Sequence, residues 1–568
     1  MFYNNGWWKS KTAYQIYPKS FCDSNGDGIG DIRGIISKLD YLKDLGVDII
    51  WISPMYKSPF ADQGYDISDY YNVDPVFGTM DDMDELIAEV KKRKMHLIMD
   101  LVVNHCSDEH EWFKAAKADP TGEYAKFFYI EEMKDGKVPN NVRSYFGGSC
   151  WKQIEGTNYC YLHSFHEKQP DLNWENPKLR EEIYKMMNWW LDKGISGFRV
   201  DAIMNIKKEL PWRSYEPDRD DGMCFVGNMC EHTTAGAIEI LKEMRKATVD
   251  NYDEVFTVGE VFNAAPELIE GLIGKGGAFS TMFDFSSALL GAASSGWQDY
   301  KPVEKHDFMD SFIKNQEFYQ KHGVFMANII ENHDEPRGVS RYLSDEDRCP
   351  DSEKMLAGIY FFARGIPFIY QGQEIGMQNG TFSSVEDFDD VNTVAEYATA
   401  IESGRTPEEA VKAVSAMSRD NARSPMQWND GPNAGFTTGT PWLKVHEDYK
   451  EINAASQVSD KDSLFSFYKK MIALKKNPVL TQTLTSGSFE AVTERPADVL
   501  AYTRGRNGQN LCMIANWSNL ENDFKLPGQM LYIWLNSQKK ADIEENIVHL
   551  KPYQFLVLEY YPGDELPG

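Results

Sequence analysis

His96-Leu97-Ile98-Met99-Asp100-Leu101-Val102-Val103-Asn104-His105 reads as a buried strand that runs into polar residues. A near-continuous apolar run of this kind suits a strand covered on both faces. A carboxylate set into it is costly if it stays dry and unpaired, so Asp100 must face a partner or a cleft. Three further runs have the same form: Gly197-Phe198-Arg199-Val200-Asp201, Val258-Gly259-Glu260, and Val324–Ile330 running into Glu331-Asn332-His333-Asp334. Outward from these, eight short apolar runs recur: Ala13–Tyr17, Ile49–Ser53, His96–Val103, Gly197–Asp201, Val255–Val261, Thr281–Phe285, Val324–Ile330 and Ile366–Tyr370. Helical patterns lie between them, among them Ile32–Leu45, Met80–Lys94, Pro177–Lys193 and Ala237–Tyr252, with Gly194 as a helix stop. Strand-helix alternation repeated eight times predicts an α/β protein whose parallel sheet closes into a (β/α)8 TIM barrel.

The spacing is uneven. About ninety residues separate the third strand from the fourth, and the Gly-, Asn- and aromatic-rich part of that stretch predicts a small inserted domain. A second long stretch follows the eighth strand, with an acidic, helical-looking piece at Ser384–Ala416. After Lys476 the pattern turns to short strands, at Val479–Leu484, Phe489–Thr493, Val499–Arg504, Leu511–Asn516, Met530–Leu535 and Phe555–Tyr560. The expected division is a barrel over 1–104 and 175–478, an inserted subdomain over 105–174, and a C-terminal β-sandwich over 479–568.

Composition narrows the function. The net charge of −28 repels phosphate backbones and anionic lipid, which argues against nucleic acid and membrane surfaces as partners but not against a neutral ligand. Eight cysteines without a CxxC pair argue against a zinc site or a disulfide scaffold. No apolar run reaches the roughly 18 residues of a membrane span. A reduced, cytoplasmic protein, monomeric or dimeric, is expected.

The acidic strand ends carry the chemistry. Carboxylates converging on one barrel rim, without clusters of metal-binding His or Cys, suit glycoside cleavage, in which one acid attacks the anomeric carbon and a second protonates the leaving oxygen. Arg199 lies two residues before Asp201, so strand alternation points both inward, and the guanidinium would orient the carboxylate.

These four segments resemble the signature regions of the α-amylase superfamily of retaining α-glycoside hydrolases and transferases. The resemblance implies Asp201 as nucleophile, Glu260 as general acid/base and Asp334 as transition-state stabiliser, with Asp100, His105, Arg199 and His333 holding or organising the sugar. Gln169-Pro170-Asp171-Leu172-Asn173, Ala61-Asp62-Gln63-Gly64-Tyr65-Asp66 and the run Ser418–Trp428 are similar to the oligo-1,6-glucosidase branch. The branch resemblance implies that Asp62 and Arg423 grip the non-reducing-end glucose and block the pocket beyond it. Tyr65 would lie beneath that sugar, and Phe146 and Phe165 would form further walls. A blocked pocket implies exo action on short oligosaccharides.

Asp23-Ser24-Asn25-Gly26-Asp27-Gly28-Ile29-Gly30-Asp31 places oxygen-bearing residues at alternate positions, like the start of a calcium loop. The branch resemblance implies one structural Ca2+ or Mg2+ held by Asp23, Asn25, Asp27, Asp31 and the Ile29 carbonyl; catalysis itself needs no cofactor. Ala202 follows the expected nucleophile, where strict α-1,6 members of the branch carry Val. The smaller side chain implies α-1,4 or mixed linkage. Sucrose isomerase, trehalose synthase, transglucosidase and sugar-phosphate hydrolase remain alternatives on the same covalent intermediate. The intact acid set argues against a non-catalytic, transporter-associated relative.

Overall fold

The eight barrel strands are β1 (Ala13–Ile16), β2 (Ile49–Ile52), β3 (His96–Leu101), β4 (Gly197–Val200), β5 (Phe256–Gly259), β6 (Thr281–Asp284), β7 (Met326–Asn328) and β8 (Gly365–Tyr370). In the computed structural model, which describes residues 6–262, 264–293 and 296–563, they pair in parallel and in chain order, and β8 returns to β1 to close the barrel. Each coincides with an expected run to within a few residues. The outer ends of the expected domains, 1–5 and 564–568, lie outside the described residues.

Alternation along the strands separates two cores. Trp51, Ile98, Phe256, Val258, Phe283, Ala327, Ile366 and Phe368 fill the barrel. Ile50, Ile52, Leu97, Met99, Phe198 and Val200 point outward and join the layer under the helices. Asp100 shares the inward face with Ile98, and Arg199 is its register partner on β4. The alternation that packs the barrel therefore also delivers these two side chains to its mouth.

The helix Pro177–Lys193 shows why such segments fold as read. Asn176 caps it by accepting from Lys178 N, proline opens its first turn, and Gly194 ends it at φ 106°. It buries Leu179, Ile183, Met187, Trp190 and Leu191, each contributing roughly 1.5–3 kcal/mol if fully buried. The expected helix over Ile32–Leu45 is instead two, Ile32–Ser37 and Leu39–Leu45, divided at Lys38.

Within the long β3–β4 connection, Ile130–Glu132, Tyr159–Leu162 and Trp151–Gln153 form an antiparallel sheet. The loop after β4 adds to this region, because Cys224–Phe225 pairs with Val142–Arg143 and Lys208 forms a fully buried ion pair with Asp171 at 2.8 Å.

At the C-terminal end a five-stranded sheet and a three-stranded sheet share a core of Val499, Cys512, Ile514, Phe524, Val548 and Leu556. One expected strand is wrong. Val479–Leu484 is not extended; a helix, Thr481–Ser486, occupies it, and Leu480 and Leu484 bury one turn apart. The threonines there favour strand, but the spacing of the two leucines is helical. Asn522–Lys525, Asp542–Glu544 and Ile547–Leu550 are strands that the reading missed. The eight cysteines are free thiols. Among the described residues no helix is long and apolar enough to cross a membrane.

Gly197 opens β4 at φ 135°, and a Cβ there would stand 1.8 Å from the carbonyl oxygen of Phe256. Gly197→Ala is expected to cost about 3 kcal/mol or more, at the upper end of overpacking, measured by denaturant unfolding. Wild-type stability would contradict the close β4–β5 approach.

Candidate active site

Arg199 is fully buried at the barrel mouth, amid three carboxylates. Its Nη1 donates to Asp100 Oδ1 at 2.8 Å and to Asp201 Oδ1 at 2.5 Å, and its Nη2 meets Glu260 Oε1 at 2.7 Å. Asp201 and Glu260 are thus held by the two terminal nitrogens of one planar group. The other oxygen of Glu260 accepts from the backbone N–H of Ala202 at 2.8 Å. Ala202 adopts a left-handed conformation, φ 46° and ψ 35°, which aims that N–H at the acid. For a residue with a Cβ this conformation costs roughly 1–2 kcal/mol.

A second group surrounds Asp334. His333 Nδ1 faces the Gln15 amide nitrogen at 2.8 Å, so the imidazole carries its proton on Nε2, toward Asp334 Oδ2 at 3.1 Å and the Tyr65 hydroxyl. The Tyr65 and His333 rings stack at 5.4 Å, and Tyr65 donates to Asp100 Oδ2 at 3.1 Å. Asp334 Oδ1 receives Arg423 at 2.8 Å and Arg419 at 3.2 Å.

Asp62 and Arg423, expected to grip the same sugar, do not touch each other. Asp62 meets Arg419, at 3.4 Å, while Arg423 turns to Asp334 and to the carbonyl of His333. Arg419 is fixed from behind by Asp390, with Nε at 2.8 Å and Nη2 at 2.5 Å. The two arginines stand one turn apart at the helix Asp420–Arg423, and the sequence pattern marks both without saying which one faces the sugar.

His105 is packed by the inserted segment. Its Nε2 lies 3.1 Å from the Tyr65 carbonyl and 3.2 Å from Gln169 Nε2, which also donates to Asp62 at 3.2 Å. Phe165 is 5.0 Å from the His105 ring and stacks on Tyr145 at 4.6 Å. Phe146 and Phe165 stand edge to face. The cavity these residues enclose holds about 170 Å³ and is lined by Asp62, Tyr65, His105, Phe146, Phe165, Asp201, Glu260, Asp334 and Arg419. Asp100, Arg199, His333 and Arg423 stand behind its wall. Tyr145, Ala202 and Asn392 complete the lining. Asn392 follows the long β8 loop, and nothing in its local sequence marks it as part of the cavity.

Electrostatics separates the acids. Burial pushes Glu260 up to about 8, against the pull of Arg199 and with Asp201 and Asp334 adding to the rise. Burial also raises Asp201, to about 7, opposed first by Arg199. The two titrate as a coupled set that retains a proton. Asp334 is also desolvated, but His333, Arg419 and Arg423 outweigh that and hold it well below the usual carboxylate range. One protonated acid beside ionised ones is what acid-assisted displacement needs.

The loop Asp23–Asp31 is remote from these acids. Asp23 Oδ1 accepts from Asn25 N and Gly26 N, Asn25 Oδ1 from Asp27 N, and Asp27 Oδ1 from Ile29 N. Asp31 caps the helix Ile32–Ser37 through Gly34 N. The donors are all hard oxygens of the kind Ca2+ takes. Among the described residues, however, no three His, Cys, Asp or Glu side chains are gathered at metal-holding distance. The carboxylates face backbone N–H groups instead.

A buried arginine joining three carboxylates at a barrel mouth is an arrangement suited to glycoside chemistry. The model of the alpha-amylase catalytic domain matches residues 15–483, and the chain belongs to that family. It is 44% identical over 555 residues to an oligo-1,6-glucosidase of Halalkalibacterium halodurans, spanning 96% of this chain and 98% of that one. Among solved structures it is similar to the trehalose-6-phosphate hydrolase of Bacillus licheniformis, with TM-score 0.89, 37% identity, and coverage of 98% and 100%. It is also similar to the isomaltulose synthase of Protaminobacter rubrum, with TM-score 0.90, 37% identity, and coverage of 97% and 99%.

If Asp62 is held by Arg419, a double-mutant cycle of Asp62→Asn with Arg419→Lys should show coupling of about 0.5–3 kcal/mol in kcat/KM. The cycle with Arg423→Lys should be nearly additive. The reverse pattern would make Arg423 the partner of Asp62.

Proposed function

We propose that the protein is an exo-acting retaining α-glucosidase that releases glucose from the non-reducing end of short isomalto- and malto-oligosaccharides. The observation that carries this is the Arg199 bridge, with Asp201 at 2.5 Å and Glu260 at 2.7 Å on its two terminal nitrogens. Retaining enzymes hold such a pair roughly 5–5.5 Å apart, and two carboxylates fixed on one guanidinium are compatible with that spacing. Asp201 attacks the anomeric carbon while Glu260 gives its proton to the leaving oxygen. Glu260, then ionised, takes a proton from the water that hydrolyses the glucosyl-enzyme. Asp334 stays ionised and holds ring hydroxyls as positive charge develops.

Exo action follows from the closed end. Arg419, tied to Asp62, Asp334 and Asp390, lines the cavity and would bar a further sugar on that side. That arginine is the one cation on the lining and is already paired, so a neutral leaving sugar suits the site better than a phosphorylated one. The eight free thiols suit a reducing cytoplasm. One chain supplies every residue of the cavity, so a monomer or a dimer would serve.

With Glu260 near 8, kcat/KM should fall above pH 8 as the acid loses its proton. Glu260→Gln should cut turnover of natural disaccharides by at least about a hundredfold yet largely spare glycosylation by activated aryl glucosides. A carboxyl raised in the fold stabilises below its unfolded value of 4.5 and loses that contribution as pH rises through about 8. The same variant should therefore gain Tm over the wild type most above pH 8. Equal rate losses on both substrates, or a Tm difference independent of pH, would contradict the assignment.

Ala202 leaves room beside the scissile bond, which supports action on α-1,4 as well as α-1,6 links. Glucose release from maltose and isomaltose, measured side by side with all products resolved, tests this. Ala202→Val should move the ratio toward isomaltose by about tenfold, since a methyl-scale change is worth roughly 1–3 kcal/mol. A new disaccharide in place of glucose would favour the isomerase reading.

We further propose that the Asp23–Asp31 loop takes a structural Ca2+ or Mg2+ through Asp23, Asn25, Asp27, Asp31 and the Ile29 carbonyl. The ion would replace hydrogen bonds that now hold the loop. Calcium at a hundred times its Kd should then add about 2.7 kcal/mol of stability, read as a Tm shift reversed by chelator. An unchanged Tm would exclude the site.

A further inference from the structure

A second and larger cavity, about 580 Å³, lies where the barrel meets the C-terminal sheets. Its volume falls within the roughly 300–1,000 Å³ of small-molecule sites. The helix Pro350–Phe361, which leads into β8, brings Lys354 to the wall, and the helix Leu464–Lys475 brings Lys470. The strand Gln529–Asn536 and the chain beyond it bring Asn536, Lys539, Lys540 and Lys551. Two carboxylates, Asp351 and Asp462, stand against these five lysines. The wall is therefore a local positive spot on a chain whose net charge is −28.

Lys354 distinguishes this wall from an ordinary solvated lysine patch. The residue is only 6% exposed. Its one ion pair among the described residues is with Asp351 Oδ1 at 3.9 Å, beyond hydrogen-bond reach. Asp351 is also engaged elsewhere, since its Oδ2 receives Gln538 Nε2 at 3.3 Å. The Lys354 ammonium thus makes no hydrogen bond among the described residues, yet it is not sealed in: it opens on the cavity. A buried cation left this way is costly unless something pairs with it.

The other polar groups on the wall are also donors in search of acceptors. Lys470 donates to the Lys461 carbonyl at 3.0 Å and has no acidic partner among the described residues; nor has Lys540. Lys551 is held by Glu521 at 2.8 Å, and Lys539 stands 3.7 Å from Asp462. Asn536 spends its carbonyl oxygen on Gln538 N and Gln554 Nε2, at 3.0 and 2.9 Å, which leaves its NH2 group to donate.

We propose that this cavity binds a small anion bearing a phosphate group, whose oxygens accept from Lys354, Lys470, Lys540 and the Asn536 amide. Hydrogen bonds between ionised partners are the strong ones, and a phosphate group offers several acceptor oxygens at once. A neutral sugar would leave Lys354 unpaired. A nucleic acid or an anionic membrane would extend past the positive spot onto the acidic surface around it. The site shares no lining residue with the catalytic cavity. Its lysines come from two barrel helices and from the C-terminal region, so the bound anion ties those parts together.

The test is isothermal titration calorimetry of the full chain with sn-glycerol 3-phosphate and with inorganic phosphate, each against sodium chloride at matched ionic strength. Saturable binding is expected that chloride does not reproduce, and the tighter of the two probes tells whether the ligand is a phosphate ester or the free ion. Lys354→Met keeps the side chain's length but not its charge. It should raise Kd by at least about tenfold, the worth of one hydrogen bond to a charged group. Lys540→Gln, at an exposed position, leaves the fold alone and should raise Kd several-fold with kcat/KM for glucosides unchanged. That unchanged activity separates this site from the catalytic reading. Heat no greater than that of chloride, or wild-type affinity in both lysine variants, would overturn the proposal. So would binding abolished by Arg419→Gln, which would place the anion in the catalytic cavity.

Discussion

One guanidinium, buried at the mouth of a closed barrel, holds three carboxylates at once. Arg199 contacts Asp100, Asp201 and Glu260 between 2.5 and 2.8 Å, and its side chain is almost wholly shielded from water. Such a cluster is poor evidence for stability, because desolvating the charges can cost as much as their attraction returns. Its value is positional. Barrel closure fixes β3, β4 and β5 beside one another, register places Arg199 against Asp100, and the guanidinium then holds Asp201 and Glu260 on its two terminal nitrogens. With one cation among three acids, one carboxyl keeps a proton. Burial raises Asp201 and Glu260 alike against the pull of Arg199, so the pair retains a proton, which the proposed mechanism places on Glu260.

Asp334 illustrates the opposite use of the same physics. It too is desolvated, though its side chain is more exposed than that of Glu260, and His333, Arg419 and Arg423 surround it with an attraction that exceeds the desolvation. Arg419 carries the same charge outward to Asp62 and Asp390. The site is therefore two charge networks facing one cavity, one arranged to retain a proton and the other to exclude it.

The barrel was legible because strands buried on both faces are continuous apolar runs, and because caps such as Asn176 and Gly194 leave local marks. The C-terminal sheets were less so. Asn522–Lys525 buries one residue, Phe524, and two leucines one turn apart outweighed threonine propensity at Thr481–Ser486. The acids at strand ends were readable since a carboxylate after an apolar run needs a reason. The pairing of Arg419 rather than Arg423 with Asp62 was not, because both stand on one short helix and tertiary packing chooses between them. Neither the left-handed backbone at Ala202 nor the approach of Asn392 has a signature in the residues around it.

The central claim is that Asp201 is the nucleophile and Glu260 its proton donor. Intact-mass and peptide mapping of Glu260→Gln, treated with an α-glucosyl fluoride, tests it directly. Fluoride leaves without a proton, whereas the water that follows needs a base. The account predicts a glucosyl adduct that accumulates on the peptide carrying Asp201. No adduct, or an adduct on the peptide carrying Asp334, would contradict it.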